Sequence, residues 1–186
     1  MPWSESVSWV KAVNQFWFDD LGPNDWFGGG ARIDAEIRAR FGGLHDDLRN
    51  NPPDGEHLEP DGLVAAVVVF DQFSRNLFRN SPDAYATDSL ALTLASLAVD
   101  RGVDAILGLH QRQFLYMPFM HSERWDMQSR SIALFRQLGS AELLGYAEHH
   151  SQVIERFGRF PHRNTVLGRE STAAEGEFLR SEPEYS

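Results

Sequence analysis

The chain has no cysteine, which removes disulfide staples, thiolate metal sites and cysteine nucleophiles together and fits a reducing compartment. It is also almost without lysine. Of its 17 basic residues only Lys11 is one, so the cations are arginines, suited to bidentate and partly buried pairing, although a genomic base-composition bias would produce the same skew. Positive charge is in deficit overall: a formal net charge of −10 argues against nucleic acid and anionic membranes, which recruit partners through clustered cations. Long apolar runs are missing. The longest, Leu63 to Phe70, is far too short to span a bilayer, and residues 1–5 lack the basic and apolar regions of a signal peptide. A soluble, cytoplasmic protein is expected.

Alternating strand patterns are absent, as are a Walker-type glycine loop, a GxSxG elbow, an HExxH pair and an EF-hand loop. No cofactor is called for. No metal is expected either, because His121, Glu123, His150 and His162 lack the helical spacing that makes such sites specific.

What the chain does have is a 3.6-residue apolar period in nearly every segment. With 186 residues and 42% hydrophobic content, this predicts one all-α domain over 1–186, built of antiparallel helical hairpins. The spacing predicts a first helix from Ser6 to Phe18, with Trp26 and Phe27 anchoring the turn after it. A second, marked by Ile33, Ile37 and Phe41, ends at Gly42-Gly43; a short third covers Leu44 to Leu48; Asn50 to Asp61 is a loop. Leu63 to Asn80 reads as a central helix, apolar all round in its first two turns. Ser81-Pro82 reads as a cap and first turn of a helix reaching Ala98 and stopping at Gly102. Further helices are expected at Gln111 to Met117, Ser122 to Leu138 and Ser140 to Phe157. A turn from Pro161 to Gly168 follows, and Thr172 to Glu175 matches a capping box.

Four places could carry chemistry. Arg156-Phe157-Gly158-Arg159-Phe160-Pro161-His162-Arg163-Asn164 interleaves arginines with phenylalanines that draw backbone inward, so its guanidinium groups must find carboxylates, carbonyls or a bound anion. On the central helix, Asp71, Arg75 and Arg79 share a face, with Gln72 and Asn76 beside them; this partly buried polar group serves either as a ligand site or as a network tying helices together. His150 fills the missing step of the stripe Leu143, Tyr146, Ala147, Val153, Ile154 and Phe157, while His149 faces water. It is either a core histidine or a ligand group. Ser122 and Glu123 fit capping and dipole roles at a helix start, which leaves His121 unexplained.

In Asp71 to Arg79, Ala86-Thr87-Asp88, Phe114 to Glu123, Arg156 to Asn164 and Leu167 to Thr172, the chain resembles the bacterial family designated domain of unknown function 924. The resemblance runs from Phe16-Trp17-Phe18 to Phe178. It implies an all-helical fold similar to tetratricopeptide repeats and no established activity, although no repeat of that length is visible in the sequence. The chain departs from the family pattern at Ser74, in place of a proline, at Met120, in place of a glutamate, and in the loop Asn50 to Asp61. Met120 weakens any mechanism that needs a carboxylate beside His121.

Three functional readings follow. In the first and preferred one, Arg75, Arg79, Arg156, Arg159, Arg163 and Arg169 converge with His121, His150 and His162 on a partly buried pocket for a small carboxylate or phosphate, with a histidine available as acid or base. In the second, the helices present a groove to a protein partner. In the third, the motif is structural, with Arg159 and Arg163 capping carbonyls and pairing with acids such as Asp71 or Glu123.

Overall fold

A computed structural model describes residues 6–28 and 30–182; residues 1–5, on which the signal-peptide expectation rests, lie outside them. Among the described residues every regular element is a helix or helical turn, and there is no strand. No helix is long and apolar enough to cross a membrane. The chain divides into two compact units. One takes in the residues up to Arg79 together with Asp83–Pro118, and the other takes in Asn80–Pro82 and the chain from Phe119 onward.

In the first unit, α1 (Ser6–Asn14) widens into a π-helical segment, Gln15–Asp20, and the short α2 covers Pro23–Gly28. Trp26 anchors this turn by donating its indole N–H to the Trp17 carbonyl at 2.9 Å. Phe27, expected to help, instead points outward with 64% of its surface exposed.

The helix expected to stop at Gly42-Gly43 runs through both as α3, Gly30–Asn50. Two interior glycines cost roughly 1 kcal/mol each relative to alanine. Burial of Ile33, Ile37, Phe41, Leu44 and His45 along one face offsets that, and the expected third helix is simply its last turns. The loop that follows is pinned rather than loose. Its Gly55 is buried, with a Cβ there falling 2.7 Å from Leu94 and Leu97, and its carbonyl accepts from Arg101.

The central helix is real but interrupted: α4 (Pro60–Val67), a π segment Val68–Phe73, and α5 (Ser74–Leu77). It ends before Asn80, so Arg79 lies beyond the helix rather than on its face. Ser74 sends its hydroxyl to the Phe70 carbonyl at 2.8 Å, and Thr87 sends a second at 2.7 Å. His45 Nε2 lies 2.8 Å from Ser74 Oγ. The buried Ser74 and Thr87 hydroxyls are thereby satisfied where the ladder changes pitch.

Phe73 sits at the hub of an aromatic core, with ring centroids 5.0 Å from Phe41, 5.6 Å from Trp17 and 6.2 Å from Phe16. Ser81-Pro82 does not start the next helix. Pro82–Tyr85 forms a 3₁₀ turn instead, and α6 spans Asp88–Asp100.

Helix α7 (Leu109–Met120) is longer than its apolar pattern suggested, and it contains Pro118. The second unit continues with α8 (Trp125–Leu138), which packs along α9 (Ala141–Phe157) across the two-residue turn Gly139-Ser140. Ser140 caps α9 by accepting from Leu143 N–H, and Gly158 ends it with φ 70°, where a side chain would be strained. Helix α10 (Ala173–Ser181) opens on a complete Thr172/Glu175 capping box. Val153, Ile154, Phe160 and Phe178 form a buried cluster, with Phe157 packed against it.

Candidate functional site

The sequence candidates fall into two groups, one in each unit. In the first unit, Asp71 and Gln72 are buried on the π segment, and Gln72 donates to the Asp71 carboxylate at 2.6 Å. The expected Asp71/Arg75 pair forms at 3.2 Å, and Arg75 also forks onto Asp88 at 3.0 and 3.2 Å. Burial disfavours the charged guanidinium, yet these two carboxylates raise its pKa above the ordinary arginine value. Asn76 and Arg79 both reach Asp34. Burial would raise the Asp34 pKa, but the bonds from Arg79 and Asn76 hold it below the usual carboxylate value. Asp34 and Asp88 were not among the sequence candidates. Neither lies within a helical turn of its arginine, and Asp88 sits in the first turn of α6, where a dipole role already accounts for an acid.

In the second unit, Arg159 binds Glu175 through two hydrogen bonds, at 2.7 and 2.9 Å. This corrects the expected partners Asp71 and Glu123. Glu175 is 2% exposed, and the Arg159 bond chiefly, helped by Thr172, lowers its pKa to about 2. The capping-box motif pointed to Glu175 as a local partner of Thr172, and the long-range role is added to it.

Glu123 likewise does not serve in the first turn of a helix, because α8 begins at Trp125 with Arg124 at the N-cap. It accepts from the Phe160 backbone N–H at 2.8 Å and from Arg169 at 2.8 and 3.0 Å. Burial opposes its charge, but Arg169 and Phe160 keep its pKa below normal. Ser122 is displaced from capping too: its hydroxyl accepts from Arg124 N–H at 3.3 Å. Arg156 is exposed and lies over the Phe157 ring at 4.7 Å.

The histidines do converge. His150 is 6.3 Å from His121 and 5.5 Å from Phe160, ring to ring, and His162 is 5.7 Å from Phe160. Arg163 lies over the same phenylalanine at 4.6 Å and donates to the His121 carbonyl at 3.0 Å. Tyr146, expected inside, is 54% exposed, but its carbonyl is 2.8 Å from His150 Nδ1. A carbonyl can only accept, so Nδ1 carries the proton and Nε2 the lone pair. Burial first, then the charge on His121, His162 and Arg163, lowers the His150 pKa to about 3. Among the described residues no three His, Asp or Glu side chains group to hold a metal.

An open groove of about 480 Å³ lies in the same unit, lined by Glu123, Trp125, Ile154, Glu155 and Gly158. Of the sequence candidates, only Glu123 lines it. Two of its walls are acidic, the opposite of the expected arginine-lined pocket.

A family model for "Bacterial protein of unknown function (DUF924)" matches residues 13–183. The solved structure of a protein of unknown function, ATU0120 from Agrobacterium tumefaciens, is similar with a TM-score of 0.90 and 36% identity, over 95% of this chain and 99% of that one. No curated protein matches. Sharing both the family pattern from α1 to the end of α10 and the fold of that relative, the chain belongs to the bacterial DUF924 family.

Proposed function

We propose that the second unit binds a small anion, a carboxylate or phosphate compound, against His121, His150, His162 and Arg163. The observation that carries this reading is the gathering of two imidazoles and a guanidinium around Phe160, with the His121 ring beside His150. Burial chiefly, and then the charge of His121, His162 and Arg163, disfavours a proton on His150, and a bound anion adds an attraction that opposes them. Because Nδ1 of His150 is engaged by Tyr146, a proton drawn in with the anion arrives on Nε2. Binding is therefore coupled to proton uptake and strengthens as pH falls. A nitrogen with a pKa near 3 is too weak a base to serve at neutral pH, so the reading is of binding rather than catalysis. It takes the protein to be cytoplasmic, which the cysteine-free composition supports.

Differential scanning fluorimetry with succinate, citrate and inorganic phosphate at pH 6 and pH 8 tests the reading. Stabilisation larger at pH 6, and lost in His150→Gln, is the expected result. No stabilisation by any of these anions at either pH would overturn it.

A second reading, a tetratricopeptide-like module for a protein partner with the arginine motif purely structural, is favoured by a separate observation. Arg75, Arg79, Arg159 and Arg169 are each held by a carboxylate, while Phe27, Ile106 and Leu109 in the first unit expose apolar side chains. Affinity capture abolished by Phe27→Ser with Ile106→Ser would support it; capture that survives those changes would count against it.

A further inference from the structure

We infer that the groove in the second unit is a site for a small organic cation, an alkylammonium or guanidinium compound with an apolar stem. Its volume of about 480 Å³ falls within the range of roughly 300–1,000 Å³ that holds small ligands. Its walls favour one sign of charge from several independent sources. Glu155 is exposed and makes no ion pair among the described residues. Ile154, Glu155 and Gly158 belong to the last turn of α9 and its cap, where the helix presents its negative end. Gly158 adds no side chain, and a Cβ built on it meets nothing within 4 Å, so this turn stays uncovered. Trp125, 53% exposed, offers an indole face of the kind that attracts cations. Together with Ile154 it also supplies apolar surface for a stem.

The arginines nearby in sequence are engaged elsewhere. Arg124 pairs with Asp126, Arg156 lies over Phe157 and Phe178, Arg159 holds Glu175, and Arg169 holds Glu123. Glu123 is thus neutralised, and the charge that selects a cation is that of Glu155. The positive end of α8, which begins at Trp125, opposes it, and Asp126 in that first turn is already paired with Arg124. Arg156 in the last turn of α9 likewise offsets part of that helix's negative end, so the selection falls to Glu155 and the indole. An anion meets repulsion from the same two.

Agmatine and tetramethylammonium, neither of which carries an acid group, are the probes. Each is titrated into the full chain at low ionic strength, following tryptophan emission and ligand-observed NMR. A saturable response is expected, with affinity weakened about threefold in Trp125→Phe, about fivefold in Glu155→Gln and more than about tenfold in Glu155→Lys. Both positions are exposed, so melting temperatures should hold. An unchanged response in Glu155→Lys, or none by NMR at about 10 mM probe, would overturn the inference. So would binding of an arginine-rich peptide without any response to agmatine, which would make the groove a protein-docking surface. The probes and the variants lie outside the proposed anion site, so either reading can fail alone.

Discussion

Acidification should destabilise this protein through His150 before its paired carboxylates titrate. The imidazole has a pKa of about 3 in the fold against an ordinary 6.5. Between those values the unfolded chain binds a proton that the folded chain does not, so stability falls as pH drops below 6.5, and the loss is complete near 3. Full linkage amounts to about 2 kcal/mol by pH 5. His150 is only half-buried, so solvent screening brings this to about 1 to 2 kcal/mol, or roughly 2 to 8 °C in Tm for a chain of this size.

Glu175, with its pKa lowered to about 2 from 4.5, adds to the loss in the same direction but at lower pH. Its stabilisation is present above 4.5 and is lost only as pH falls from there toward 2. His45, fully buried and with its pKa also lowered by burial, acts in the same direction below 6.5, so the wild-type curve alone does not assign the effect. His150→Gln does, because an amide can still donate to the Tyr146 carbonyl but does not titrate. Thermal melts at pH 8, 6.5 and 5 should show the wild type losing more Tm than the variant. Parallel curves would refute the argument, as would an NMR titration placing the His150 midpoint near 6.5.

Two other substitutions test the packing and pairing. Phe160→Ala removes a fully buried ring that His150, His162 and Arg163 surround; urea denaturation should show a loss of about 3 to 5 kcal/mol, and a loss well under 1 would contradict the assigned burial. Arg159→Ala strips two hydrogen bonds from a buried carboxylate, so the Tm should fall by several degrees and the Glu175 pKa should rise from about 2. An unshifted Glu175 titration would show that Arg159 is not what holds it.

The helical class, the bounds of α9 and the Thr172/Glu175 box were legible because each depends on residues within a turn or so of one another. Gly42-Gly43 misled for the complementary reason. A local breaker signal was overridden by an apolar face that continues through Leu44 and His45. The π segment at Val68–Phe73 left no trace in the periodicity, since its apolar residues are buried whichever pitch they follow.

The same division runs through the candidate site. The sequence by itself determined that arginines lodged among phenylalanines need partners, because a partly buried guanidinium is costly to leave unpaired. It also marked His150 as inward on the α9 stripe. Only the tertiary structure decided which carboxylate meets which arginine: Asp34 reaches Arg79 across 45 residues, and Glu123 reaches Arg169 across 46. It alone gathered His150 and His162 around Phe160 with His121 beside His150, and it alone lined the groove with Glu155 and Trp125. These choices rest on which surfaces come within a few ångströms once the helices pack, and charge–charge energies that fall with distance carry no trace in the local order of residues.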